Sequence, residues 1–473
     1  MTSRTRMLAL ITALALPLGA CTTDGGARSV ASAPPAPAAE EAPRAKNVIV
    51  FIGDGMGVST ITAMRIYAGQ KRGQSGEEYV LPFENFDNVA LVKTYNTNAQ
   101  VPDSAGTATA IHSGQKTKIG MLGVGPETEY GNCVSGLANP LPLIGEEVKE
   151  RGLALGIVST ARITHATPAS VYARSASRDW EAYIGTEGQA DASCKDIATQ
   201  LVEFDFDVAL GGGKRSFVDS ARGGDRREEQ ADLAVSWAER TGGSYVENRS
   251  ALAAAPIDRP VLGLFNSSHM AYMADPSRDA SEPTLTEMTA EAIKRLRQDE
   301  DGYYLMVESG RIDHAHHMGQ AGVALEEGNE FANAIQYAID NTDPAETLIL
   351  VTADHSHVFT MAGYPRRGND ILGLVRPPED GSEVLAEVTT AEDGKPYTTL
   401  GYMNGPGAIA GMEERPVPET GIGATQQAAI PLRSETHAGE DVALYGHGPG
   451  SENVRGVIEQ NVVYDIIRKA FGW

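Results

Sequence analysis

Positive charge is scarce in this chain. Against 63 Asp and Glu stand only 39 Lys and Arg, a formal net charge of −24 over 473 residues. Such a balance repels phosphodiester backbones and excludes nucleic acid as a binding partner. It fits a soluble exported protein, and equally an ordinary solvated surface. A membrane-spanning run is missing as well. The apolar stretch from Met7 to Leu18, behind Arg4 and Arg6, is too short to cross a bilayer and has the form of a signal peptide. Cysteine is limited to three residues, Cys21, Cys133 and Cys194. Cys133 and Cys194 lie neither in CxxC nor near a histidine cluster, which argues against a thiol metal site or redox pair. No internal repeat is visible. A chain of this length can bury a large core as one elaborated domain or two smaller ones.

The signal-like segment ends Leu18-Gly19-Ala20-Cys21, which resembles the bacterial lipobox. Residues 1–21 are expected to be a lipoprotein-type signal, with Cys21 lipidated; the alternative is an unlipidated secretory signal. Residues 22–45, rich in Ala, Pro and Ser, read as a disordered tether. In an oxidising compartment the remaining Cys133 and Cys194 favour a disulfide.

From Lys46 onward apolar runs alternate with helical patterns, which predicts an α/β fold with a mostly parallel central sheet in a three-layer sandwich. The runs are Val48–Ile52, Leu153–Val158, Val208–Leu210, Val261–Phe265, Tyr303–Val307 and Leu348–Val351. The helical patterns include Ala138–Arg151, Thr284–Arg297 and Val323–Ile339. Residues 356–436, rich in Gly and Pro and without helical period, are expected to be an insertion beside the sheet.

The chemistry-bearing residues follow the apolar runs. Tyr303–Val307 empties into Glu308-Ser-Gly-Arg-Ile-Asp313-His314-Ala-His-His317, and Leu348–Val351 into Thr-Ala-Asp354-His355-Ser-His357. Carboxylate and imidazole together suit zinc or a similar divalent ion. Two such clusters suggest a polynuclear site at the carboxyl ends of the strands, where ligands of open α/β sheets collect. Val48–Ile52 likewise runs into Gly53-Asp54-Gly-Met-Gly57, which lacks the spacing of a dinucleotide or Walker loop. Asp103-Ser104-Ala-Gly opens a small-residue helix. Taken alone it is a helix cap, or else a serine nucleophile at a positive helix end that needs a metal to remove its proton. His165, Thr167 and Arg178 follow Leu153–Val158, and Ser434-Glu-Thr-His437 follows the insertion. Arginine can clamp phosphate oxygens through paired hydrogen bonds.

In this order GDGMG, DSAGTATA, VESGRIDH, TADHSH and ETHAGED resemble the alkaline phosphatases, from about Lys46 to near the C-terminus. The resemblance implies a phosphate monoesterase with two zinc ions and one magnesium ion. One zinc would be held by Asp313, His317 and His437. The second would be held by Asp54, Asp354 and His355, with Ser104 completing its sphere. Magnesium would take Asp54, Thr167 and Glu308. Arg178 would bind the phosphate oxygens and Asp103 would orient it. Two in-line displacements through a phosphoserine at Ser104 follow from that likeness, with turnover faster at alkaline pH.

His165 and His314 stand where the enterobacterial enzymes have Asp and Lys, so the chain is similar to the animal-type and some marine bacterial enzymes. That difference implies weaker magnesium retention and faster product release. The insertion resembles the animal enzymes' crown through Gly363-Tyr-Pro-Arg-Arg-Gly and Gly401-Tyr-Met-Asn-Gly-Pro-Gly, which implies a homodimer. Cys133 and Cys194 fall near the animal-type disulfide positions. One departure is Asn266, where the animal enzymes place an acidic calcium ligand; Glu282 remains available to contribute, but calcium binding is not expected. An exported protein is therefore expected, periplasmic or an outer-membrane lipoprotein of a Gram-negative bacterium. Its substrates would be small phosphate monoesters, and its only membrane contact a lipid anchor. The competing readings are a phosphodiesterase or sulfatase of the same superfamily, a non-catalytic metal- or phosphate-binding lipoprotein, and a structural surface protein.

Overall fold

The apolar runs become the central strands of a ten-stranded sheet. The computed structural model describes residues 44–184, 193–226, 232–378 and 387–473. The expected signal segment, Cys21 and nearly all of the expected tether lie outside the described residues. The first eight strands are β1 (Asn47–Gly53), β2 (Asn88–Lys93), β3 (Ala154–Arg162), β4 (Val208–Gly212), β5 (Ser244–Val246), β6 (Val261–Leu264), β7 (Tyr303–Ser309) and β8 (Thr347–Ala353). Five short strands follow: β9 (Ser356–His357), β10 (Phe359–Met361), β11 (Leu400–Gly405), β12 (Ala428–Pro431) and β13 (His437–Ala438). β14 (Val442–His447) and β15 (Gly456–Glu459) return to the main sheet.

The strand order is β15-β2-β14-β8-β1-β7-β3-β4-β6-β5. β14 runs antiparallel to both β8 and β2, and the other pairings are parallel. β1 sits between β7 and β8, so its residues Val48 to Ile52 are fully buried. That double burial explains a continuous apolar run rather than an alternating one. Flanking helices complete the α/β sandwich. The helix Leu285–Leu296 is opened by a capping box between Thr284 and Glu287, and it buries Leu285, Met288, Ala292, Ile293 and Leu296 along one face.

The expected helix over Ala138–Arg151 is corrected. A helix spans Cys133–Ala138 and a separate one Ile144–Glu150. Pro140 and Pro142 lie between them, and proline neither donates to a helix nor lets its predecessor stay helical. Cys133 and Cys194 form a disulfide across a sequence separation of 61. In the chain-entropy picture such a loop contributes about 4 kcal/mol.

In residues 356–436, β10, β11 and β12 form a small three-stranded sheet, with no helix among the described residues. The segment leaves and rejoins the main body across the two-residue ladder of β9 and β13, where His357 faces His437. This ladder returns His437 to the rim from which Asp354 and His355 depart. No helix among the described residues is long and apolar enough to cross a membrane.

Candidate active site

Three strand ends deliver the first group of candidate ligands. Asp54 follows β1, and its N–H donates to the Ser309 carbonyl at 3.3 Å, tying it to the end of β7. Both Asp54 carboxylate oxygens are buried without a hydrogen bond, as are Glu308 Oε1, Thr167 Oγ1 and His165 Nδ1. Ligand atoms of Asp54, His165 and Glu308 lie within 4.8 Å of one another. The other Glu308 oxygen accepts from the Ser159 hydroxyl. A buried polar atom left unpaired costs about 1–3 kcal/mol, so the four bare oxygens of Asp54, Glu308 and Thr167 on one spot mark a candidate cation site. Electrostatics agree. Burial, then the charges of Asp354, Asp313 and Glu308, push the Asp54 carboxyl well above its ordinary range. Burial raises Glu308 to about 7, although the hydroxyls of Ser159 and Thr167 pull the other way.

The second group mixes nitrogen and oxygen. The helix Arg311–His317 puts Asp313 and His317 one turn apart, on one face. His317 Nε2 and His437 Nε2 lie 3.4 and 3.3 Å from Asp313 Oδ1, and 3.1 Å from each other. His317 Nδ1 lies 2.6 Å from the Glu435 carbonyl, and His437 Nδ1 lies 2.8 Å from the Pro102 carbonyl. Each Nδ1–H donates to a carbonyl, so each Nε2 presents a lone pair. Two lone pairs facing a carboxylate at this range make no hydrogen bond. They form a candidate metal-binding set.

Between these groups lies the third. His355 Nε2 is 3.4 Å from both Asp54 Oδ1 and Asp354 Oδ2, and 3.2 Å from Ser104 Oγ. Asp354 accepts from the Gly55 N–H at 3.1 Å and the Thr107 hydroxyl at 3.2 Å. Gly55 has φ of 68°, and a Cβ there would come within 2.3 Å of His357 Nε2. Only glycine fits.

Asp103 and Ser104 take different places at one helix start. Asp103 is the N-cap of the helix Ser104–Ser113 and accepts from the Gly106 N–H. Ser104 is the first helical residue, with its hydroxyl directed at His355. Asp103 also accepts from Arg178 Nη1 at 2.9 Å, while Arg178 Nη2 lies 3.0 Å from His165 Nε2. Burial works to raise the Asp103 carboxyl. Arg178 and the N–H groups of Gly106 and Gly120 outweigh it and hold the carboxyl below its ordinary value.

His357 and Glu435 enter the site without having been assigned a role from sequence. His357 Nε2 is 2.8 Å from Asp313 Oδ1, and its Nδ1 is 2.5 Å from Glu435 Oε2. Burial opposes its charge, yet the two carboxylates raise it to about 9. The available signal was position: His357 stands two residues from His355 and Glu435 two from His437. His269 was missed too. His314 packs against it with ring centroids 4.0 Å apart, and His165 lies 5.5 Å from His314. His314 is buried, which lowers it to about 3. Away from the rim, Glu282 accepts from the Asn266 amide at 3.0 Å and the Ala271 N–H at 2.8 Å.

The family model described as alkaline phosphatase matches residues 45–472. The chain belongs to the alkaline phosphatase family. Phosphate monoester hydrolysis is the activity of that family, and the chain is a phosphomonoester hydrolase. It is 44% identical over 444 residues to the tissue-nonspecific alkaline phosphatase isozyme of Gallus gallus, covering 89% of this chain and 83% of that one. It is 41% identical to alkaline phosphatase of Gadus morhua, with 89% of this chain and 90% of that one covered. Among solved structures, Thermus thermophilus alkaline phosphatase aligns with a TM-score of 0.67 at 25% identity, covering 91% of this chain and 92% of that one. The alkaline phosphatase of the Antarctic bacterium TAB5 shares the fold, with a TM-score of 0.62, 24% identity and coverage of 92% and 99%. Alkaline phosphatases depend on metal, and the clusters described above are the metal-binding candidates here.

Proposed function

We propose that the rim is a three-metal centre at which Ser104 takes the phosphoryl group from a small monoester and passes it to water. One observation carries this reading. Ser104 Oγ stands at a helix start, 3.2 Å from a histidine that itself touches Asp54 and Asp354, beside an arginine fixed by Asp103. Asp313, His317 and His437 form a donor set suited to zinc, as do Asp54, Asp354 and His355. The oxygen atoms of Asp54, Thr167 and Glu308 suit magnesium. When bound, the metals supply Lewis acidity that makes a hydroxyl nucleophilic near neutral pH.

The chain's own groups do the rest. The positive end of the helix Ser104–Ser113 and the Arg178 guanidinium hold the non-bridging phosphate oxygens. The Ser104 Oγ–P bond forms as the ester P–O bond breaks, and the alcohol leaves with a proton. Water then attacks phosphorus, the Ser104 Oγ–P bond breaks, and Ser104 recovers its proton. His165 shares Arg178 with Asp103, so it sets the plane of the guanidinium. The test is phosphate release from an aryl monophosphate at pH 7 and pH 10 with zinc and magnesium present. Turnover should rise with pH and fall on the order of a thousandfold or more in Ser104→Ala. Turnover confined to an aryl diester would move the chain to a sister activity. No turnover of either ester in the metal-loaded protein would leave a binding protein.

The same reading extends to assembly and location. Tyr364, Met403, Met412, Val417, Ile430 and Leu432 are all exposed, and all lie in the 356–436 segment. An apolar surface concentrated there supports a homodimer through the crown-like insertion. Sedimentation that gives a monomer at micromolar concentration would remove it. Export, with lipid on Cys21, rests on the N-terminal pattern and is checked by the mass of the mature N-terminus.

A further inference from the structure

Behind the oxygen-rich corner lies a buried polar chain that the reaction does not use. His112, on the helix Ser104–Ser113, is fully buried, as are Ser170 and Tyr304. His112 Nδ1 lies 2.6 Å from Ser170 Oγ, and Ser170 Oγ donates to the Thr167 carbonyl at 2.7 Å. The other ends are bare: His112 Nε2 and Tyr304 Oη have no hydrogen-bond partner, although the two rings meet edge to face at 6.3 Å.

The chain of bonds fixes its own protons. The Ser170 hydroxyl gives its hydrogen to Thr167, so it must accept from His112. His112 therefore carries its proton on Nδ1 and leaves Nε2 as an unpaired acceptor. Burial keeps the ring neutral, lowering it to about 3. A core filler at this position would be apolar, and an orphaned ring nitrogen is a cost that an apolar residue does not carry. What the histidine adds is one directed N–H toward Ser170.

The local backbone shows why that hydrogen bond has work to do. Thr167 sits in a four-residue helix, Ala166–Ala169, with Pro168 next to it. The Val171 N–H, which stands four residues on, goes to the Pro168 carbonyl instead, and the Ser170 N–H goes to Ala166. The Thr167 carbonyl thus receives its hydrogen bond from the Ser170 hydroxyl. On the other side, the Thr167 hydroxyl is buried and has no hydrogen-bond partner. The peptide that carries this free hydroxyl is steered by one side chain, and that side chain by His112.

We infer that His112 and Ser170 are positioning residues that hold the Thr167 backbone so that its hydroxyl joins Asp54 and Glu308 around the magnesium ion. The inference rests on Thr167 being a magnesium ligand, as proposed above. Outer partners of this kind typically change metal affinity 10–100-fold.

The test measures magnesium dissociation from the zinc-loaded full chain by equilibrium dialysis, with zinc content and Tm recorded beside it. Ser170→Ala removes the hydroxyl with almost no change of volume and should raise the magnesium Kd about tenfold at unchanged zinc content. His112→Leu should do the same. His112→Asn, which returns an N–H close to the Nδ1 position, should recover most of the loss, which a packing defect would not. Thr167→Ala separates the two claims. If it leaves the magnesium Kd unchanged, the ligand assignment fails. If it weakens magnesium while Ser170→Ala and His112→Leu do not, the positioning inference fails and the ligand assignment stands.

Discussion

The two outer corners of the rim are built by opposite means. In the corner of Asp313, His317 and His437, every proposed ligand is held from behind. His317 is held by the Glu435 carbonyl, His437 by the Pro102 carbonyl, and Asp313 by His357, which Glu435 grips in turn. In the corner of Asp54, Thr167 and Glu308, the ligand atoms are bare and only the backbone sets their direction, apart from Ser159 on one Glu308 oxygen. A ligand set fixed before the ion arrives loses little freedom on binding, whereas a bare one is organised by the ion itself. The nitrogen-rich corner should therefore bind tightly and specifically, and the oxygen-rich corner more loosely.

The sharpest way to break this contrast is His437→Ala. It should remove zinc from its corner, leave magnesium in place, and lower turnover by about two orders of magnitude or more. Glu308→Gln is the mirror experiment. Magnesium affinity should fall about 10–100-fold while zinc content holds, with a smaller loss of turnover. Metal analysis of both variants decides the matter, because equal loss of both metals in each would mean one coupled site rather than two corners. His165→Asp supplies the bare corner with another carboxylate, and its magnesium Kd should tighten about tenfold. An unchanged Kd would show that His165 does not limit retention.

A smaller effect comes from a buried carboxylate outside the rim. Glu327 accepts from the Met273 N–H at 2.5 Å, and burial raises it from an ordinary 4.5 to about 7. The folded state therefore prefers the protonated acid. Its stabilising contribution is full below pH 4.5 and is lost as pH rises through 7, a change of about 3 kcal/mol. Glu327→Gln imitates the protonated form, so its Tm should exceed that of the parent at pH 8 but not at pH 4. A gain of the same size at both values would show that packing, rather than charge burial, governs the site.

The legible parts of the molecule were those where one local rule dominates. β1, β7 and β8 are buried on both faces, so their sequences are unbroken apolar runs ending in ligands. β2, with Val89 and Leu91 exposed, and the short β15 near the sheet edge carry no such run. The antiparallel β14 could not be anticipated from an alternation of strands and helices, since its place between β8 and β2 is set by pairing across the whole chain. At the rim, residues with a family motif were legible, and their supports were not. His357 and Glu435 act through hydrogen bonds between segments that meet only in the folded protein. His112 reads as one polar residue in a small-residue helix until Ser170 is brought against it.

The rim draws on segments that run from Asp54, early in the chain, to His437, late in it, and the ladder of β9 and β13 brings the last of them home. A ribosome makes these in order, so a growing chain holds the Asp54 strand long before it holds the histidine that finishes the nitrogen-rich corner. Closure of that corner thus waits until synthesis has passed residues 356–436. A chain cut short within residues 356–436 would carry most of the candidate ligands and still lack the histidine that closes the corner, so its metal content would tell it from a chain that has passed this segment.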